Sequence, residues 1–174
     1  MRALAPVALA ACGLAVACGY HLQGRGAAGT VLPEHVRTIA LLPFENQTTR
    51  PEIEQRVTEE TARQLANRGH YRVVTDRTDA DALLEGAIIG FRTDPVQFNF
   101  EGRATRVQTV VSIQATLRDL TNDQVLWSQS GLLFREQWDV PETDAGFFDQ
   151  ETLALDSIAR GAANTLVNSI LEGF

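Results

Sequence analysis

The chain has 174 residues, a formal net charge of −7 and two cysteines. All fifteen basic residues are arginine, which excludes a Schiff-base or Walker-type lysine, and beyond Cys18 there is no thiol for a disulfide, a Cys–Zn site or a cysteine nucleophile. The acidic balance argues against a dedicated nucleic-acid binder, while the length and 44% hydrophobic content suit one domain with a single core.

Met1 and Arg2 make a short positive start, and Ala3 to Ala17 is an apolar run rich in alanine. The run falls short of the about 20 apolar residues a spanning helix needs. Pro6 and Gly13 would interrupt a buried helix. It therefore reads as a secretory signal peptide. A small residue followed by cysteine resembles the lipobox of bacterial lipoproteins, where the thiol is diacylated and the chain is cut just before it. Leu9-Ala10-Ala11-Cys12 is the better local match, but Cys18, after Leu14-Ala15-Val16-Ala17, leaves an apolar run of normal length and is favoured. The expected organisation is a lipoprotein signal over 1–17, an acylated N-terminus and tether over 18–35, and a single domain over 36–174. Two or more acyl chains anchor stably to a membrane, and Gly19, in place of an aspartate, points by the same resemblance to the outer membrane. Loss of Arg2 with the signal takes the net charge to −8.

Within the tether, Gly24 to Gly29 spells G-x-G-x-x-G, but no strand precedes it and no helix follows, so it is a linker rather than a dinucleotide site. Val36 to Leu42 is a short β-branched run ended by Pro43, which predicts a buried strand. Thr49-Arg50-Pro51-Glu52 opens a helix whose apolar face is Ile53, Val57, Ala62, Leu65 and Ala66, and Arg68-Gly69 closes it. Tyr71 to Thr75 and Leu83 to Phe91 are strands. In the second, Gly86 and Gly90 suggest close approach of something above the sheet. Arg92 to Ala104 is expected as a loop. Thr105 to Arg118 alternates as a half-exposed strand, Asp119 to Asp123 turns, and Val125 to Phe134 returns. Residues 135 to 148 read as loop. A last helix runs from about Asp149, its cap, to Leu171, with Gly161 marking tight packing. The order β-α-β-β-β-β-α gives an α+β sandwich: two helices on one face of a mixed, mostly antiparallel sheet of four to five strands.

No catalytic group assembles in the sequence. His21, His35 and His70 have no metal-ligand spacing and are assigned structural or solvated roles. Asp76, Asp79 and Asp81 lack the glycine and bidentate glutamate of a calcium loop and read as a solvated turn. Glu59 and Glu60 beside Arg56 and Arg63 suggest surface ion pairs. No G-x-S-x-G elbow occurs, and Asn46-Gln47-Thr48 is a glycosylation sequon in form only. Neither an enzyme nor a metal or cofactor is expected.

The segment Cys18-Gly19-Tyr20-His21-Leu22-Gln23-Gly24 resembles the opening of the LPS-assembly lipoprotein family, LptE. The likeness continues through Thr38 to Asn46, through Ala80 to Gly86, and through Leu117-Arg118-Asp119 with Val125-Leu126-Trp127. The strand–Pro-Phe-x-Asn–helix part also resembles the CsgG and LpoB lipoproteins, so an activator of a periplasmic peptidoglycan synthase is the alternative. The LptE resemblance implies a non-catalytic lipoprotein that plugs the LptD β-barrel and helps deliver lipopolysaccharide to the outer leaflet, with the domain on the periplasmic side or inside the barrel lumen. Lipopolysaccharide phosphates favour arginine. Arg92, Arg103 and Arg106 flank a loop bearing Phe98 and Phe100, which makes these arginines the candidate ligand contacts and the two rings candidate contacts to ligand or barrel wall.

Overall fold

The computed structural model describes residues 32–141 and 147–172. The signal, both cysteines and the tether as far as residue 31 lie outside the described residues. The elements are β1 (Thr38–Leu41), β2 (Glu45–Asn46), α1 (Ile53–Gly69), β3 (Arg72–Val74), β4 (Ala82–Phe98), β5 (Ala104–Asp119), β6 (Val125–Asp139) and α2 (Phe147–Glu172). The sheet order is β3-β1-β4-β5-β6, with the two-residue β2 also pairing β4. β1 runs parallel to β3 and β4, and β4-β5-β6 is an antiparallel meander. The expected architecture is thus the observed one, enlarged by β2, which is too short to carry a periodic signal.

The continuous apolar run of β1, a strand with parallel neighbours on both sides, matches the burial of all four of its residues. β5 instead alternates. Val107, Thr109, Val111, Ile113, Ala115 and Leu117 are buried, and Ile158, Ala162, Leu166 and Ile170 of α2 join the same core. Ile53, Val57, Thr61 and Leu65 line the inner side of α1 at four-residue spacing. Thr61 is accepted there because its hydroxyl donates to the Val57 carbonyl, 2.7 Å away. The other face of the sheet carries no helix among the described residues, and along β5 it presents Arg106, Gln108, Ser112, Gln114, Thr116 and Arg118 with Val110. Among the described residues, β5 is the sole strand beside β6, so the outer edge of β6 is open.

Several expectations are corrected. Arg92 to Ala104 is mostly strand: β4 continues to Phe98 and β5 begins at Ala104, leaving a turn of residues 99–103. Pro95 misled because proline breaks central strands. Beyond Ile88, however, β4 has only β5 beside it among the described residues, and a strand edge tolerates the missing N–H. Register shifts on either side of Gln97 absorb the irregularity. Likewise β6 extends through 135–139, where Glu136 and Trp138 turn inward between the exposed Arg135, Gln137 and Asp139; the charges hid a period of two. α1 starts at Ile53, after Glu52 in the left-handed region (φ 66°), so Pro51 belongs to the preceding turn. At its other end His70 (φ 56°), not Gly69, takes the left-handed conformation. α2 begins two residues before Asp149, its expected cap. What approaches Gly86 is the neighbouring strand rather than a group above the sheet. A Cβ there would be driven into the Gln114 carbonyl oxygen and lie 2.9 Å from the Ala115 Cβ. Gly161 does mark tight packing, since a Cβ on it would meet the Phe134 ring of β6.

Candidate functional site

Phe98, Phe100, Arg103 and Arg106 lie at or beside the β4–β5 turn at one end of the sheet, whereas Arg92 lies farther along β4, opposite Val110. Asn99 builds the turn. Its Oδ1 accepts the N–H groups of Glu101 (3.0 Å) and Arg103 (2.9 Å), and its own N–H donates to the Arg103 carbonyl (2.9 Å). Gly102 closes it at φ 78°, a conformation open to glycine at little cost. Phe98 is 57% exposed and Phe100 is fully exposed, so the turn holds two rings out in solvent.

The three arginines differ in their surroundings. Arg92, on β4, pairs with Asp94 at 2.7 Å, and Arg106, on β5, donates from Nε to Asp139 of β6 at 2.7 Å. That hydrogen bond holds the Asp139 carboxyl below its usual range and raises the Arg106 guanidinium. By strand alternation both arginines belong to the helix-free face. Arg103 sits in the turn itself, exposed, with no carboxylate at ion-pair distance among the described residues. Sequence reasoning treated the three as one cluster; among the described residues Arg103 is the member whose charge has no carboxylate at ion-pair distance.

Two cavities meet at this end. One, of about 400 Å³, is a groove at the hairpin tip lined by Asn99, Phe100, Glu101, Arg103, Thr105, Val140 and Pro141. The Thr105 hydroxyl in it is buried without a partner. The other, of about 420 Å³, lies between the sheet and the first turns of α2, with Phe91, Val107, Trp138, Ala154, Leu155 and Ile158 among its walls. Ala104 and Val140 line both. The polar atoms on the inner pocket's wall largely serve one another. Trp138 Nε1 donates to the Thr109 hydroxyl (3.1 Å), which also bonds Thr93 (3.0 Å), and Arg50 pairs with Glu151 at 2.8 Å. Arg50 also lies 6.0 Å from the Phe91 ring centroid, and its Nε–H is buried without a partner. Sequence reading missed this pocket because it assigned half its sheet wall to loops; the inward alternation of Phe134, Glu136 and Trp138 was the available signal.

The other polar clusters are structural. Asp81 is not part of a solvated turn. Its Oδ2 accepts the N–H groups of Arg37 (2.9 Å) and Thr38 (2.8 Å), tying down the start of β1 and holding its pKa below the ordinary carboxyl range. Asp119 is buried and accepts from His35 Nε2 (2.9 Å) and the Thr121 N–H (2.7 Å). Burial pushes its pKa up, but the hydrogen bonds outweigh this and the net direction is down. Asp76 accepts the Thr78 N–H in an Asx turn. Of the expected helix-surface pairs, Arg63–Glu60 forms, whereas Arg56 turns to Asp156 of α2 and Glu52. These last residues border a charged groove of about 500 Å³ between the helices. Among the described residues, no group of three or more His, Cys, Asp or Glu could hold a metal, and no helix is long and apolar enough to cross a membrane.

The two-layer α+β arrangement defines a class of protein seen in solved bacterial lipoproteins. The chain shares its fold with lipoprotein B from Nitrosomonas europaea (TM-score 0.58, 13% identity, 86% of this chain and 92% of that one). It also shares it with the rare lipoprotein B from Shewanella oneidensis (TM-score 0.50, 12% identity, 76% and 92%). No curated protein sequence matches significantly. The LptE family model, described as lipopolysaccharide-assembly, matches residues 36–170, and the chain belongs to that family.

Proposed function

We propose that this protein is an acylated outer-membrane lipoprotein that occupies the lumen of an LptD-like β-barrel as its partner and plug. It supports transport of lipopolysaccharide to the outer leaflet and catalyses no reaction itself. The family match over 36–170 carries the reading. The helix-free face of the sheet suits a water-lined lumen, because its arginines stand against carboxylates rather than as an unbalanced field. Affinity purification of the full chain from detergent-solubilised outer membrane is the test. Recovery of a large heat-modifiable barrel protein is expected. Its absence, with a peptidoglycan synthase recovered instead, would overturn the reading.

The anchor is proposed at Cys18. Labelled palmitate should be incorporated into the Cys12→Ser variant as into the natural chain and not into Cys18→Ser. The reverse pattern would move the anchor to Cys12.

Direct contact with lipopolysaccharide is proposed at the hairpin tip, with Arg103 as its main cation. A hydrogen bond to a charged group contributes about 1.5–3 kcal/mol, so Arg103→Glu should weaken lipopolysaccharide binding by about tenfold or more. Arg92→Glu and Arg106→Glu should each have a smaller effect, since both side chains are held by carboxylates. Equal losses in all three variants, measured on the folded full chain, would reject the ranking.

A further inference from the structure

We propose that the pocket between α2 and the sheet receives one acyl chain of lipopolysaccharide, whose phosphorylated head rests in the adjoining hairpin-tip groove. The inference rests on the lipopolysaccharide-handling reading above and adds the site and the part of the ligand recognised. The pocket, at about 420 Å³, falls within the range of small-ligand cavities. Its sheet wall is Phe91, Val107 and Trp138, and its helix wall is Ala154, Leu155 and Ile158, with Glu151 of the same helix paired to Arg50 at 2.8 Å. The indole N–H and the threonine hydroxyls beside it are taken up by one another, so the wall asks for hydrocarbon. The Arg50 Nε–H, buried and without a partner among the described residues, is a donor suited to the carbonyl of an acyl ester or amide.

Charge sets which apolar molecule fits. A neutral hydrocarbon would make no use of the neighbouring groove, which shares Ala104 and Val140 with the pocket and carries Arg103, the carboxylate of Glu101 and the Thr105 hydroxyl, which has no partner among the described residues. An anionic head joined to an acyl chain uses both cavities at once. Arg92 and Arg106 lie on the opposite, helix-free face and are paired with Asp94 and Asp139. That leaves Arg103, with no carboxylate at ion-pair distance among the described residues, as the groove's cation for a phosphate, and Glu101 beside it as an acceptor for the head's hydroxyl groups.

Trp138 supplies a direct readout. The chain has two tryptophans, so Trp127→Phe in the full acylated protein leaves Trp138 as the sole indole. A fatty acid brominated along its chain should then quench the fluorescence. Ala154→Leu and Ala154→Phe, which fill the pocket from α2, should weaken that quenching about threefold and more than tenfold. Lipopolysaccharide should displace the brominated chain, its deacylated phosphorylated saccharide should not, and phospholipid should do so at least tenfold less well.

Absence of quenching overturns the proposal, as does equal displacement by deacylated saccharide or by phospholipid. Quenching seen only in Cys18→Ser protein also overturns it, by assigning the pocket to the protein's own acyl anchor. Lipopolysaccharide binding that persists without Trp138 quenching defeats the pocket alone. Failure of lipopolysaccharide to bind the natural chain at all defeats the functional reading beneath it.

Discussion

Gly86→Ala should destabilise the domain by about 3 kcal/mol or more, at the upper end of what overpacking costs. The added methyl would meet the Gln114 carbonyl oxygen together with the Cβ and Cα of Ala115. Two of these are main-chain atoms of β5, and they are fixed by the ladder that pairs Gly86 with Ala115 and Leu84 with Leu117. A flexible side chain could swing aside, but a strand in the middle of a sheet must separate. With total stabilities of about 5–15 kcal/mol for ordinary domains, such a loss removes a large share and should appear as a much lower urea midpoint and poor recovery of folded protein. Gly131→Ala is the control: no heavy atom lies within 4 Å of a Cβ built there, and its midpoint should stay close to that of the natural chain. A Gly86→Ala midpoint equal to that of the control would contradict the packing described.

Asp81→Ala should cost about 1–3 kcal/mol, the penalty for leaving a buried donor without its acceptor. Thr38 is 8% exposed, so water does not easily replace the carboxylate on its N–H. The site is also a junction. The Asp81 N–H donates to the Thr38 carbonyl (2.9 Å), and the Asp81 carbonyl accepts from Leu120 in the β5–β6 turn (2.8 Å). The same contacts set a pH dependence. The backbone donors Arg37 and Thr38 depress the folded pKa of Asp81, and hydrogen bonds depress that of Asp119. A depressed carboxyl contributes stability that is present above its unfolded pKa and is lost as the pH falls through its folded pKa. Urea midpoints should therefore be level near neutrality and decline from the ordinary carboxyl range downward. Asp81→Ala should flatten that decline. A decline as steep as that of the natural protein would remove Asp81 from the account.

Apolar periodicity made most of the fold legible. β5 and α2 are readable because each presents one clean stripe: Val107 to Leu117 at spacing two, and Leu155 to Ile170 at helical spacing. β1 is readable as a continuous run because all four of its residues are buried. Legibility failed where a local rule depends on tertiary position. Pro95 and the charged stretch from Arg135 to Asp139 look like loop until one knows that the distal part of β4 lacks a second neighbour and that Trp138 closes over Thr109. The candidate site shows the same division. Exposed Phe98 and Phe100 and the nearby arginines could be picked out by composition. The separation of Arg103 from Arg92 and Arg106 could not, since Asp139 is brought beside Arg106 from 33 positions away by strand register. Asp81 was misread for a similar reason: its partners are backbone N–H groups more than 40 residues earlier.

The open outer edge of β6 bears on how large an assembly this domain can form. Val125 to Phe134 is ten residues without a charge, with its outward main chain unpaired by any described strand. A straight edge of this kind templates further strands. Here the ladder breaks twice. Ser130 and Gly131 stand against the single Gln114, and Leu126 is an extra residue between the pairs formed by Trp127 and Val125. Each bulge coils the strand locally, so an incoming strand finds short matched stretches instead of one long register, and the charges of Arg135, Glu136 and Asp139 guard the remainder. Two surplus residues thus interrupt the edge as a template for strand addition. Deleting Gly131 would straighten the central stretch and should turn a concentration-independent sedimentation profile into one that grows with concentration.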